Sequence, residues 1–385
     1  MSRILRALCA PLPLALVTLA LPHAALAQST APEAPQPDLS EPDLNEIVVT
    51  GTYARSLAAA TETKRNAAFG VDSIASTDIG KFPTQNVAEA LQLVTGVAIT
   101  RPRGEGLYVS VRGLGPQFQS TLVNGRTVAI NDLIENGGAA GRQFRFEMLP
   151  AEFVSQIDVI KTPTADMTEG ALGGNINVQT FKPLDVGTQT TLNLRGTYTT
   201  MTEEVRPNAT VLSSYATSDD SFGILAGAQY WAKSVRNDRF YNTGWNLVPR
   251  FAQTLGGSFY TPTRTRPTVE TEERERLSAI VSAQWRASPD METTLDVSLT
   301  RLDVEYDEFG LDIYPDDGKG TYNPAGSSII PGSVVTDGDT ITKATINNGR
   351  FMASREYSLN RHDLLTVGLK QRWNPDRWHL SADVN

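Results

Sequence analysis

Few side chains in this sequence are placed to do covalent chemistry. Of three histidines, His23 lies just past an apolar N-terminal stretch, and His362 and His379 have no companion at ligand or base spacing. The single cysteine, Cys9, precedes that same stretch. Gly104-Glu105-Gly106 and Gly113-Leu114-Gly115 lack the third glycine of a dinucleotide-binding loop. No catalytic residue, resident metal or cofactor is therefore expected. What remains is the chemistry of recognition. Arg101, Arg103 and Glu105 in one polar loop (101–106), and Asn131, Asp132 and Arg142 in another (131–145), could hydrogen-bond a polar ligand, with ordinary solvated loops as the bland alternative. Glu46, Ile47, Val48, Val49, Thr50 and Gly51 form a β-prone hexapeptide whose free backbone N–H and C=O groups could join an exposed sheet edge of a partner. A packed or aggregation-prone strand is the competing reading. Asp303, Glu305, Asp307, Glu308, Asp312, Asp316 and Asp317 supply hard oxygen donors suited to calcium or magnesium, although a solvated loop explains them equally. The run from Glu270 to Arg276 reads as a loop of mixed charge.

These residues depend on the elements that carry them. Arg3 and Arg6, an apolar run from Leu12 to Leu21 and Ala25-Leu26-Ala27 make the three parts of a secretory signal peptide over 1–27, so the mature chain is expected to begin at Gln28. Cleavage removes two arginines and no acid, taking the net charge from -9 to -11. An acidic chain disfavours nucleic acid as a partner. Hydrophobic residues at 40% and charged residues at 20% fit a folded chain rather than a disordered one. No later run approaches the roughly 20 apolar residues of a spanning helix, so any membrane role must use strands.

Residues 28–45 are polar and rich in proline, and together with an Ala, Ser and Thr stretch through Thr63 they predict a flexible tether over 28–63, with the hexapeptide 46–51 inside it. From 64 to 183 the pattern is α+β. Val87, Ala88, Leu91 and Val94 predict a helix near Asn86–Thr95, stopped by Gly96. Strands are predicted over Leu107–Arg112, Thr121–Val123, Val154–Ile160 and Asn175–Thr180, with a tight turn at Asn124-Gly125.

Residues 184–385 change character and predict seven antiparallel strands, near 188–198, 208–217, 221–233, 275–287, 291–303, 362–373 and 377–385. Short turns at 218–220, 288–290 and 374–376 alternate with long polar connections, notably 234–274 and 304–361, as in transmembrane barrels. In two strands the alternation is strict. Leu277, Ala279, Val281, Ala283 and Trp285 oppose Ser278, Ser282, Gln284 and Arg286, while Leu295, Val297 and Leu299 oppose Thr294, Asp296, Ser298 and Thr300. Trp285, Trp373 and Trp378 stand beside short turns, where an aromatic girdle belongs.

The ordered series of motifs resembles the TonB-dependent outer-membrane receptors across nearly the whole mature chain. Glu46–Gly51 looks like the TonB box. Phe82–Leu91 through Thr95-Gly96-Val97 looks like the first plug helix and strand. Val109–Gly115, Val123-Asn124-Gly125-Arg126, Ile157–Lys161 and Gly170–Val178 resemble later plug elements. Lys161-Thr162-Pro163 departs from the Lys-Gly-Pro of many members and is similar to a subgroup abundant in alphaproteobacteria and xanthomonads, some of which import carbohydrates. The resemblance implies an α+β plug followed by a transmembrane β-barrel in the Gram-negative outer membrane, and transport without enzymatic activity. It implies TonB, with ExbB and ExbD behind it, as energy source, and lipopolysaccharide and a small-molecule substrate such as a carbohydrate or siderophore as further partners. It also makes Arg112 a buried plug charge paired with wall carboxylates.

Two other classes stay open on sequence alone, a passive outer-membrane pore and a soluble periplasmic β-sandwich. Barrels with a plugged lumen have about 22 strands. Seven strands ending at Asn385 predict either a piece of a longer receptor or a truncated, non-functional one.

Overall fold

Two periodicities build this molecule, a mixed pattern that folds around its own core and a period-two pattern that makes a curved wall. The computed structural model describes residues 52–67, 69–76, 86–129, 143–162, 164–165, 167, 169–248, 256–314, 328–330, 332–347, 349–375 and 377–385. The predicted signal peptide and the hexapeptide 46–51 lie outside these residues.

The plug opens with helix α1 (Thr52–Asn66), strand β1 (Val71–Ala75) and the short helix α2 (Val87–Leu91). Asn86 caps α2, its side chain accepting a hydrogen bond from Ala88 N across 2.8 Å. Strands β2 (Val97–Thr100), β3 (Tyr108–Val111), β4 (Gln119–Val123), β5 (Arg126–Thr127), β6 (Val154–Ile160) and β7 (Gly174–Thr180) follow, then helix α3 (Pro183–Val186). The main plug sheet has the order β1-β6-β7-β4-β5, parallel only between β4 and β7. Asn124 and Gly125, with φ of 53° and 80°, make the tight β4–β5 turn that the Asn-Gly pair predicts. One core gathers Val87, Leu91, Val109, Val111, Ile157, Val159, Ile176 and Val178.

Helix α1 corrects the sequence reading, which takes residues through Thr63 as tether. Its Ala-rich turns have high helix propensity, and Lys64 and Arg65 complement the dipole in its last turn. Ala60 is buried, and Lys64 Nζ reaches Asp72 Oδ1 of β1 at 2.5 Å.

The wall is a meander of antiparallel neighbours: β8 (Gln189–Thr199), β9 (Glu204–Ala216), β10 (Phe222–Val248), β11 (Phe259–Ser288) and β12 (Met291–Tyr314). Four short strands come next, β13 (Ser328–Ile329), β14 (Val335–Asp337), β15 (Thr340–Lys343) and β16 (Ile346–Asn347). The long strand β17 (Arg350–Trp373) and the short β18 (Leu380–Val384) complete the order β18-β17-β12-β11-β10-β9-β8.

All seven expected wall strands are present, but the central ones run much further than the alternation predicts. Most of 234–274, with the run Glu270–Arg276, and much of 304–361 are hairpin strand rather than loop. The reason is electrostatic and geometric. Beyond the apolar band charged residues such as Glu273, Glu275, Asp303, Glu305 and Asp307 interrupt the apolar phase, so the period-two signal fades while backbone pairing continues. Cross-strand pairs such as Arg361–Asp303 at 2.6 Å and Arg355–Asp307 at 2.7 Å reinforce it. The acids of 303–312 lie on β12, and Asp303, Asp307, Glu308 and Asp312 face arginines rather than standing free for a cation. Asp316 and Asp317 lie outside the described residues.

Register decides the two faces. Leu277, Val281, Trp285, Leu295, Leu299, Leu365 and Leu369 are exposed on the convex side. Polar Ser278, Ser282, Gln284, Thr294, Asp296 and Thr300 are buried on the concave side. A continuous apolar outer band over a polar lining is stable against lipid and not against water. Among the described residues no helix is long and apolar enough to cross a membrane.

Candidate functional site

The concave wall face holds the plug, and charge dominates their contact. Glu152 of the plug is buried, and its carboxylate accepts from Asn208 Nδ2 at 3.1 Å and Gln229 Nε2 at 2.6 Å, with Arg195 3.7 Å away. Glu147 faces Arg145 beside it and Arg274 of β11 at 3.1 Å, while its backbone carbonyl accepts from Arg276. Arg276 also donates to Gln229 Oε1 at 2.8 Å and lies over the Trp231 ring. Lower in the wall, Asp296 accepts from Arg126 at 2.9 Å, from Ser282 at 2.8 Å and from Lys182.

Apolar contact is confined to patches. Leu302 and Val304 of β12 join the plug core, and Phe153 and Phe181 pack on Leu212, Leu225 and Ile280. Glycines on the wall admit the plug. A Cβ at Gly223 would come within 2.9 Å of Pro183 and Leu184, and one at Gly227 within 3.1 Å of Phe153. Buried ion pairs contribute little net stability because both charges lose water, yet breaking one partner is costly. Such an interface fixes position without the large apolar burial that would make separation prohibitive.

The loop 101–106 belongs to this interface. Arg103, with φ of 59°, reaches Glu272 at 2.5 Å and lies 4.6 Å from the Tyr306 ring centroid. Glu105 pairs with Lys233 at 2.8 Å and Arg274 at 3.3 Å, and accepts from Asn86 at 3.0 Å. Burial alone would raise the Glu105 pKa, but Lys233 and Arg274 hold it below the usual carboxylate range. Arg101 stays on the plug, 2.5 Å from Glu89. Two of the three residues expected to meet a ligand here therefore meet the wall. Asn131, Asp132 and Arg142 lie outside the described residues.

Arg112, with φ of 56°, stands in the turn it shares with Gly113 and pairs with no carboxylate among the described residues. Against strands β8–β18 the plug–wall pairing is carried by Arg126, Lys182, Glu147 and Glu152. One signal was available: Asp296, Arg274 and Arg276 fall on the inward phase of their strands, where charge needs a partner. Arg126 follows the Asn-Gly turn, which the sequence marks as a hairpin without revealing what its arginine touches. Among the described residues no three His, Cys, Asp or Glu side chains converge to hold a metal.

Comparison with known proteins follows the same division. Residues 63–175 match the TonB-dependent Receptor Plug Domain. The chain is 27% identical over 246 residues to the ferric enterobactin receptor PirA of Pseudomonas aeruginosa, covering 60% of this chain and 30% of that one. It is 33% identical over 128 residues to another ferric enterobactin receptor of that organism, covering 31% and 17%. A crystal structure of the ferric enterobactin receptor PfeA from Pseudomonas aeruginosa aligns with 80% of this chain and 50% of its own, at 18% identity and a TM-score of 0.42. The chain thus spans less than a third of the length of the curated relatives it matches. Its residues 63–175 carry the plug domain of TonB-dependent receptors, and a sheet of antiparallel strands follows that domain.

Proposed function

We propose that this chain forms the plug and the first wall of an active importer in the Gram-negative outer membrane. The observation that supports the reading is the charged plug–wall contact, in which Glu147 and Glu152 on one side meet Gln229, Arg274 and Arg276 on the other; a polar contact of this kind can part and re-form. A passive pore needs no such removable stopper. Residues 1–27 direct export. Residues 46–51 are the TonB box, which TonB captures by strand addition under power from ExbB and ExbD. The convex apolar band sits in lipid, with lipopolysaccharide around its charged outer rim. The cargo is a bulky scarce solute, with an iron–siderophore chelate first, because the relatives' names specify ferric enterobactin. A carbohydrate is the second candidate, from the 161–170 motif.

The test is uptake of ferric enterobactin by cells expressing the receptor from its own gene, with and without TonB, and with residues 46–51 deleted. Import should require both. Equal import without either means a passive pore, while ligand binding to a soluble extract would place the protein in the periplasm.

A further inference from the structure

Three cavities lie end to end between the plug and the inner face of β17. The first, about 110 Å³, is bounded by Phe144, Met148 and the His362–Leu364 segment. A second of about 200 Å³ shares Ala129 with it and is bounded by Val123, Val128, Thr366 and Gly368. The third, about 320 Å³, shares Asn124, Arg126 and Asp296 with the second and is bounded by Lys182, Lys370 and Arg372. Successive inward positions of β17 therefore line the three in chain order, from His362 to Arg372. At about 3.3 Å per residue that stretch measures roughly 33 Å, the scale of the roughly 30 Å hydrocarbon core.

Arg126 stands between the second and third cavities. Its Nη1 lies 2.9 Å from Asp296 Oδ2, and its Nε lies 2.6 Å from Asp383 Oδ1 of β18. The guanidinium rests on Gly368, where any Cβ would collide with it. Strand β5, which carries Arg126, has two residues and pairs with β4 alone at the edge of the plug sheet. Edge elements with few ladder bonds open at the lowest free energy.

We propose that this seam is the path by which solute passes the plug and that Arg126 is its gate, so that lifting the edge strand β5 off Asp296 joins the cavities while β4 stays paired with β7. The proposal rests on the transport reading above. The upper part of the path is largely apolar. Its lower mouth sets Arg126, Lys182, Arg286, Lys370 and Arg372 against Asp185, Glu292 and Asp296, a lining with an excess of positive charge that suits an amphipathic solute carrying negative charge.

The test uses cysteine labelling in a receptor whose cysteines outside residues 1–385 are replaced by serine; within 1–385 Cys9 is the only cysteine and lies in the predicted signal peptide. Thr366→Cys places a thiol in the middle cavity, and Ser218→Cys places one in the exposed, water-facing turn between β9 and β10 as a control. Outer membranes containing the receptor are treated with a water-soluble maleimide. Thr366→Cys should label slowly alone and quickly when combined with either Arg126→Ala or Gly368→Val, the second of which displaces Arg126 while leaving it in the sequence. Ser218→Cys should label at one rate throughout. Slow labelling of Thr366→Cys in both combinations, or equally fast labelling in all three proteins, overturns the gate. A change at Ser218→Cys of the same size also overturns it, since the effect would then be general loosening. The readout needs neither TonB nor substrate, so its failure leaves the transport reading to the uptake experiment.

Discussion

Gln229 of the wall donates to Glu152 of the plug across 2.6 Å, and the same amide accepts from Arg276 at 2.8 Å. The buried plug carboxylate thus has its partners on the wall. Glu152→Ala would leave Gln229, Asn208 and Arg195 facing an empty site and should weaken plug seating by about 1–3 kcal/mol, the usual cost of orphaned buried polar groups. Glu152→Gln keeps an acceptor and should cost less. Hydrogen exchange across β6 is the measurement, and unchanged protection in the alanine variant would contradict the assignment.

Acid should undock α1 before it loosens the plug core. Burial would raise the Asp72 pKa, but Lys161 Nζ at 2.5 Å and Lys64 Nζ at 2.5 Å hold it below the ordinary carboxylate value. A depressed folded pKa contributes stability that is complete above the unfolded value and is lost as pH falls through the folded one. Protection of α1 amides should therefore be flat at neutral pH and drop in the acid range below the ordinary aspartate pKa. Asp72→Asn should remove that drop and lower protection at neutral pH; a variant that keeps the same acid transition would show that another group governs it.

Much of this was legible in sequence where one face is apolar and one polar. Leu277 through Trp285 fixed a strand and its orientation, because a one-residue slip would turn every side chain to the wrong side. Legibility failed where that contrast vanished. In the outer halves of β10, β11, β12 and β17 charged residues break the apolar phase, and cross-strand pairing, which no single segment displays, keeps them extended. Helix α1 was missed because alanine propensity is quiet beside the tether's composition. At the site, spacing located loop 101–106 and the Asn124-Gly125 hairpin, but whether Arg103 meets ligand or Glu272 depends on residues 169 positions further along the chain.

The convex face carries its own prediction. Val281 sits in the apolar band between Leu277 and Trp285, paired with Val297 on β12. Arginine near the midplane of a barrel's lipid face costs about 2–4 kcal/mol. Val281→Arg should reduce the amount of receptor assembled in outer membranes, whereas Ser282→Ala on the concave side should not. Normal assembly of the arginine variant would mean that this band does not face lipid.

The last prediction concerns how force enters. Residues 46–51 directly precede α1, which begins at Thr52 and meets β1 through Lys64 and Asp72. A pull on that segment reaches α1 first and the β1 edge next. If TonB holds the segment by strand addition, the grip is backbone hydrogen bonds, each contributing about 0.5–1.5 kcal/mol net. Side-chain identity then matters less than an unbroken ladder. Val48→Pro deletes one N–H and fixes φ, so it should abolish uptake while leaving cell-surface binding of ferric enterobactin intact. Val48→Ala keeps the ladder and should import at close to the normal rate. Cell-surface binding and uptake measured in parallel separate the two steps, since a folding defect would lower both. If the proline variant imports normally, strand addition at 46–51 is not the coupling, and force must reach α1 from elsewhere. If alanine fails as badly as proline, TonB reads the valine side chain rather than the backbone.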